Sequence, residues 1–117
     1  MKHQMEISHQ DTGRGIAVIH VGGRVMLGDE SAQIEARVEQ LLAKGTRHFV
    51  LELSGVTHID STGIGRFIAC LNLVMQAGGT MRMAAASPVV RDAFRVTRLD
   101  TVFEFFPDVE SASAGLA

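Results

Sequence analysis

The stretch from Val50 to Leu73, VLELSGVTHIDSTGIGRFIACLNL, decides how this chain is read. It opens as an apolar strand from Thr46 to Leu53, with Phe49, Leu51 and Leu53 on one side and Val50 on the other, the two-residue period of a pleated strand. Ser54-Gly55-Val56-Thr57-His58-Ile59 then leads into Asp60-Ser61-Thr62-Gly63-Ile64-Gly65. A helical pattern follows at once, from Ser61 to Ala77, with Ile64, Phe67, Ile68, Leu71 and Met75 as its apolar stripe and Gly78-Gly79 as its stop. A strand that passes directly into a long amphipathic helix is the first half of a crossover unit.

Upstream, Met5 to Gln10 and Ile16 to Val21 read as two short strands hairpinned through Asp11-Thr12-Gly13-Arg14-Gly15. Gly22-Gly23 ends or bulges the second. Asp29 suits a helix N-cap, and Ile34, Val38, Leu41 and Leu42 give the helix behind it one apolar face before Lys44-Gly45 stops it. Downstream, Thr80 to Ala86 reads as a strand. Ser87-Pro88 pairs a capping serine with a proline at the first helical position. Val90, Ala93, Phe94 and Thr97 are the inner face of that helix. Val102 to Phe106 is a last strand, Pro107-Asp108 starts a final helical turn, and SASAGLA is a small-residue tail expected to be mobile. The order ββαβαβαβ, with a terminal α, predicts an α/β fold: a mixed, largely parallel sheet of four to five strands with crossover helices.

The bulk numbers agree and exclude several classes. At 117 residues the chain is one domain's worth, and a chain of this size buries roughly two thirds of its unfolded surface. Eleven Lys and Arg against 13 Asp and Glu leave no basic footprint for nucleic acid. The absence of Trp and Tyr argues against base-stacking recognition as well. The single cysteine, Cys70, has no partner for an intrachain disulfide and reads as a small apolar helix residue. MKHQMEISHQDTGRG lacks the apolar core of a signal peptide, and no apolar run approaches a membrane span, so the expected location is the cytoplasm.

The chemistry-bearing feature is the start of the long helix. The first amides of a helix lack internal partners and carry partial positive charge. Asp60 is placed to accept from them, and a phosphate on Ser61 would sit well there. Gly63 and Gly65 remove side chains and allow close approach. The residues alone leave three readings open: an ordinary N-cap, a phosphosite, and a ligand-binding turn. A small hydrolase could draw on Ser61, Asp60 and His48 or His58, but there is no G-x-S-x-G elbow. The five histidines, His3, His9, His20, His48 and His58, lack metal-ligand spacing. Gly63-x-Gly65 is not completed as a dinucleotide fingerprint, because Ile68 stands at the third glycine, and there is no phosphate-loop motif. No cofactor and no metal are expected.

Asp60-Ser61-Thr62-Gly63-Ile64-Gly65 after VLELSGVTHI, the GGRV turn, Gly78-Gly79-Thr80 before a strand and Ser87-Pro88 before a helix together resemble the STAS family, named for sulfate transporters and anti-sigma factor antagonists. The resemblance covers nearly the whole chain and implies a single STAS domain over residues 1–117, with 108–117 a helical turn and tail. It implies an anti-sigma factor antagonist that binds, when unphosphorylated, a protein that is both anti-sigma factor and serine kinase, and so frees a sigma factor. The kinase would phosphorylate Ser61, with Thr62 the alternative, and a metal-dependent serine phosphatase would reset the switch. Asp60, Ser61, Thr62, Gly63, Met26 and Leu27 would meet the partner. No direct nucleic-acid contact, no membrane insertion and a free monomer are implied, and weak nucleotide binding is compatible. The alternative within the family is a STAS adaptor subunit of a transporter or stress-signalling scaffold. One departure stands out: many members carry G-E-L-D after the second strand, whereas here Arg24 and Met26 follow Gly23 in place of the two acids.

Overall fold

The computed structural model describes residues 5–116. Five strands form one sheet in the order β1-β2-β3-β4-β5. They are β1 (Met5–Gly13), β2 (Ile16–Val25), β3 (His48–Ile59), β4 (Thr80–Ala84) and β5 (Phe105–Phe106). Only β1, hairpinned to β2, runs antiparallel; β2, β3, β4 and β5 are mutually parallel. The crossovers are α1 (Ala32–Ala43), α2 (Ser61–Gln76) and α3 (Pro88–Val96), and a short α4 (Val109–Ser113) closes the chain. The expected order and the largely parallel sheet are therefore observed.

The alternation in each central strand separates two cores. Ala17, Ile19 and Val21 of β2, Phe49, Leu51 and Leu53 of β3, and Met81 and Met83 of β4 face the three crossover helices. Val18, Val50 and Ala84 face the other way, where Ala112 and Leu116 cover them. The larger core is finished by phenylalanines. Phe94 lies 6.1 Å from Phe67, 5.2 Å from Phe103 and 5.4 Å from Phe105 between ring centroids, the last two edge-to-face, the geometry the ring quadrupole favours.

Several boundaries differ from the pattern reading, each for a physical reason. Of the two readings of Gly22-Gly23 in β2, the bulge and not the strand end is observed. The strand absorbs register shifts beside Gly22 and Gly23 and continues to Val25, opposite Ile59. The stretch from Ser54 to Ile59 is consequently strand and not loop, because β2 supplies it with a parallel partner. Asp29 is not the cap of α1. It opens a single 3-10 turn (Asp29–Ser31), and α1 starts behind Ser31 without a side-chain cap. In α2 the buried side chains are those of Ile64, Phe67, Cys70 and Val74, while Met75 is 63% exposed. Val74 takes the inward position because it lies on the same helix face as Phe67 and Cys70, at i+3 and i+7 spacing; Gly79 N donates to Val74 O at 2.9 Å. A β-carbon on Gly79 would also stand 2.0 Å from the Arg47 carbonyl oxygen, so the entry to β4 fits against β3 only as glycine. The last strand shrinks to two residues. The small-residue tail is not loose as far as Leu116, which is 7% exposed; Asp108 caps α4 through Ser111 N at 2.8 Å.

The turn at the start of helix α2

The parallel strands β2 and β3 end side by side, with Val25 opposite Ile59. The chain leaves both at one rim of the sheet, β2 into the 26–31 loop and β3 into α2. Asp60 stands at that junction with extended backbone, and its carboxylate serves both departures. Oδ1 accepts from Gly63 N at 2.9 Å, capping α2, and Oδ2 accepts from Leu27 N at 3.0 Å, holding the loop. The cap role was legible in the sequence; the second bond, across 33 residues, was not. Desolvation pushes the Asp60 carboxyl up, but bonds from the Gly63, Leu27 and Thr62 amides outweigh it and leave the group below its ordinary range.

Ser61, the first residue of α2, is exposed, and Thr62 is half-buried. Gly63 is buried, and a β-carbon there would stand 2.0 Å from the Val25 carbonyl oxygen. Its lack of a side chain thus seats α2 against β2. Gly65 is exposed with nothing within 4 Å of a built β-carbon.

The 26–31 loop completes the surface. Leu27 is 81% exposed and does not pack under the loop; Met26 is half-buried. With Arg24, Ser31 and Asp60 they border an open hollow of about 400 Å³. A further residue, which pattern reading missed, secures the loop. Arg66 Nε donates to Ser31 Oγ at 3.0 Å and Arg66 Nη1 donates to Glu35 Oε1 at 3.2 Å. Ser31 Oγ in turn donates to Gly28 O at 3.0 Å, which satisfies a hydroxyl only 1% exposed as a residue. The only local signal for Arg66 was a polar residue flanking an apolar stripe; its partners lie 31 and 35 positions away.

The other candidates do not gather here. His48 begins β3, at the opposite end of the strand from Ser61. His58 is exposed, with Nδ1 2.9 Å from Thr57 Oγ1. His20 Nδ1 lies 3.0 Å from Glu52 Oε1 on the other face of the sheet, and His9 Nδ1 is 2.8 Å from Arg37. His3 lies outside the described residues. Among the described residues, no group of three or more His, Cys, Asp or Glu is arranged to hold a metal ion. Also among them, no helix is long and apolar enough to cross a membrane. Burial, with Glu35 and Glu39 nearby, pushes the Cys70 thiol up to about 12.

A parallel sheet with three crossover helices on one face, an antiparallel first strand and an Asp-Ser turn at the head of the second long helix together define a fold class. The STAS domain model matches residues 9–112, and the chain belongs to the STAS domain family. A relative named anti-sigma F factor antagonist, from Paenibacillus polymyxa, is 26% identical over 110 residues, spanning 92% of this chain and 86% of the relative. Among solved structures, an anti-sigma factor antagonist from Mycobacterium paratuberculosis superposes with TM-score 0.78 at 22% identity, covering 96% of this chain and 93% of that one. Unphosphorylated SpoIIAA, also named an anti-sigma factor antagonist, gives 0.75 at 18% identity over 92% of this chain and 94% of its own. The structural likenesses establish the fold.

Proposed function

We propose that this chain is an anti-sigma factor antagonist: a binding switch and not an enzyme. In its unphosphorylated form it engages an anti-sigma factor that is also a serine kinase, and so releases a sigma factor. The observation that carries the reading is the exposed Ser61 directly behind Asp60 at the head of α2, beside the protruding Leu27. The similarity to a curated antagonist over nearly the whole length of both chains supports it.

Phosphorylation of Ser61 adds a charge of about −1.5 to −2. At the amino end of a helix that charge is favourable to the local fold. The modification therefore acts on the interface and leaves the domain intact: it adds bulk, a hydration shell and repulsion beside Asp60. Ser61 is the phosphoacceptor in this reading, and Thr62, half-buried, is the alternative. Asp60 and Gly63 position the turn, and Met26 and Leu27 supply apolar contact. Arg24 presents a positive charge at the same rim, so the facing surface of the kinase is apolar with an acidic group opposite Arg24. A serine phosphatase resets the switch, the chain acts in the cytoplasm, and the free form is a monomer.

The test is partner capture from host lysate on wild-type, Ser61→Ala and Ser61→Asp baits, with phosphate mapped on the wild type by mass spectrometry. The reading requires an ATPase-fold serine kinase that Ser61→Ala retains and Ser61→Asp loses, with Ser61→Asp still folded by circular dichroism. Capture of one set of transporter or scaffold proteins on all three baits, with no phosphate on Ser61 or Thr62, refutes the sigma-factor role and leaves a constitutive adaptor.

A further inference from the structure

The face of the sheet turned away from the three crossover helices is divided in two. On β2 and β3 a polar, open part, with His20 and Glu52 paired at 3.0 Å and Gln10 Oε1 3.4 Å from the other ring nitrogen, lies two residues along from an apolar one. The apolar part is Val18, Val50 and Ala84, each no more than 2% exposed. Residues 108–116 lie over that apolar strip, burying Ala112 and Leu116 on it and half-burying Val109.

This segment is satisfied within itself. Asp108 Oδ1 accepts from Ser111 N at 2.8 Å, Ala112 N donates to Asp108 O at 3.1 Å, and Leu116 N donates to Ser113 O at 3.2 Å. Among the described residues, no backbone hydrogen bond joins 108–116 to the sheet. Among the described residues its polar tie to the sheet is one side chain. Arg82 Nη1, on β4, donates to Ala112 O at 3.1 Å and to Ala114 O at 3.0 Å, carbonyls at the end of α4 that have no helical donor. Beside the guanidinium lie the Phe106 ring, 5.2 Å away, and Glu104, whose Oε1 makes an ion pair at 3.5 Å with Arg82 Nε, an atom that has no hydrogen-bond partner.

We propose that residues 108–116 are a releasable strap latched by Arg82, which opens as a unit while the rest of the domain stays folded and uncovers the Val18–Val50–Ala84 strip. The physical ground is the contrast in attachment. The strap is fixed by a few apolar side chains and one guanidinium, whereas each central strand is laddered on both sides and packed under helices. Regions held by few contacts open at lower free energy than the whole domain. Opening presents an apolar surface on the side opposite α2, so it leaves the Ser61 turn undisturbed. The inference is independent of the reading proposed for that turn.

Thiol labelling tests it, with Cys70 as the internal clock, since Cys70 is buried in the helix-side core and reports opening of the domain. In an Ala112→Cys variant under native conditions, an aromatic disulfide reagent should label the introduced thiol at least 100-fold faster than Cys70. Adding Arg82→Gln should raise the rate at position 112 about tenfold and leave Cys70 within threefold. Labelling of both thiols at one rate, or equal acceleration of both by Arg82→Gln, overturns the proposal. Amide exchange on the wild type provides a reading free of substitutions. Amides of 109–116 should exchange in a step separate from those of Phe49–Leu53, and exchange of both segments together equally overturns it.

Discussion

Gly63→Ala and Gly65→Ala, two positions apart on one helix, should move stability in opposite directions. At Gly63 the new β-carbon would stand 2.0 Å from the Val25 carbonyl oxygen, 2.9 Å from its carbon and 3.1 Å from Ile59 Cγ1. Real β-carbons essentially never approach within 3.0 Å, so the head of α2 must retreat from β2 by about 1 Å, against backbone that cannot turn aside. Alanine gains about 1 kcal/mol over glycine in a helix interior. Overpacking into a fixed wall costs about 1–3 kcal/mol or more, and the retreat also stretches the bonds of Asp60 to Leu27 and of Asp60 N to Val25 O. The net is a loss of about 1–3 kcal/mol, which for a domain of this size lowers Tm by roughly 4–12 °C. Gly65 has open space, so its alanine variant should be neutral or more stable by up to about 1 kcal/mol. Urea unfolding followed by circular dichroism measures both. If Gly63→Ala matched or exceeded the wild type, α2 would not be seated on β2 as described, and the geometry of the Ser61 turn would fall with it.

Three other outcomes follow from the same junction. Asp60→Ala removes a cap and a loop tie together; it should cost about 1–2 kcal/mol in urea unfolding and speed amide exchange at Leu27, whose donor loses its acceptor. Acid should unfold the chain partly through this group and Glu52. Both carboxyls lie below their ordinary values in the folded state, Glu52 because bonds from Ser54 and His20 outweigh desolvation. Their contribution is therefore complete above the unfolded pKa and is lost as pH falls through the folded one, below about pH 4. A midpoint-against-pH series should be shallower on that limb for Asp60→Asn. Leu27→Ser should leave stability within about 0.5 kcal/mol, because the side chain is 81% exposed. Under the proposed function it should nevertheless weaken binding to the captured kinase by about tenfold in titration calorimetry; undiminished affinity would remove Leu27 from the proposed interface.

What pattern reading could see was whatever local geometry decides. The ββαβαβαβ order, the separate faces of Val50 and its neighbours, the Asp60 cap and the Ser87-Pro88 start all depend on residues within a turn or two of one another. What it could not see was decided by partners far along the chain. The stretch Ser54 to Ile59 looks like a loop until β2 is laid beside it. Met75 extends the line of Ile68 and Leu71, but the face laid on the sheet is that of Phe67, Cys70 and Val74. Asp29 has the chemistry of a cap, but Gly28, at φ 141°, starts a 3-10 turn one step earlier. At the Ser61 turn, the exposed serine and its cap were readable, whereas the bond to Leu27 and the Arg66 tie to Ser31 and Glu35 span more than 30 residues.

The two margins of the sheet bear on how the protein tolerates being abundant. A long, flat, apolar outer strand invites a stranger's backbone to pair with it. Here one margin, β5, is two residues long, too short to template a ladder. The other, β1, is longer, but it is exposed from Ser8 onwards and carries Glu6, His9 and Asp11 among polar neighbours. Neither margin is a good nucleus for edge-to-edge aggregation. The exposed Leu27, Val89, Val96 and Val102 are thereby carried on a body whose backbone resists sticking to its own copies.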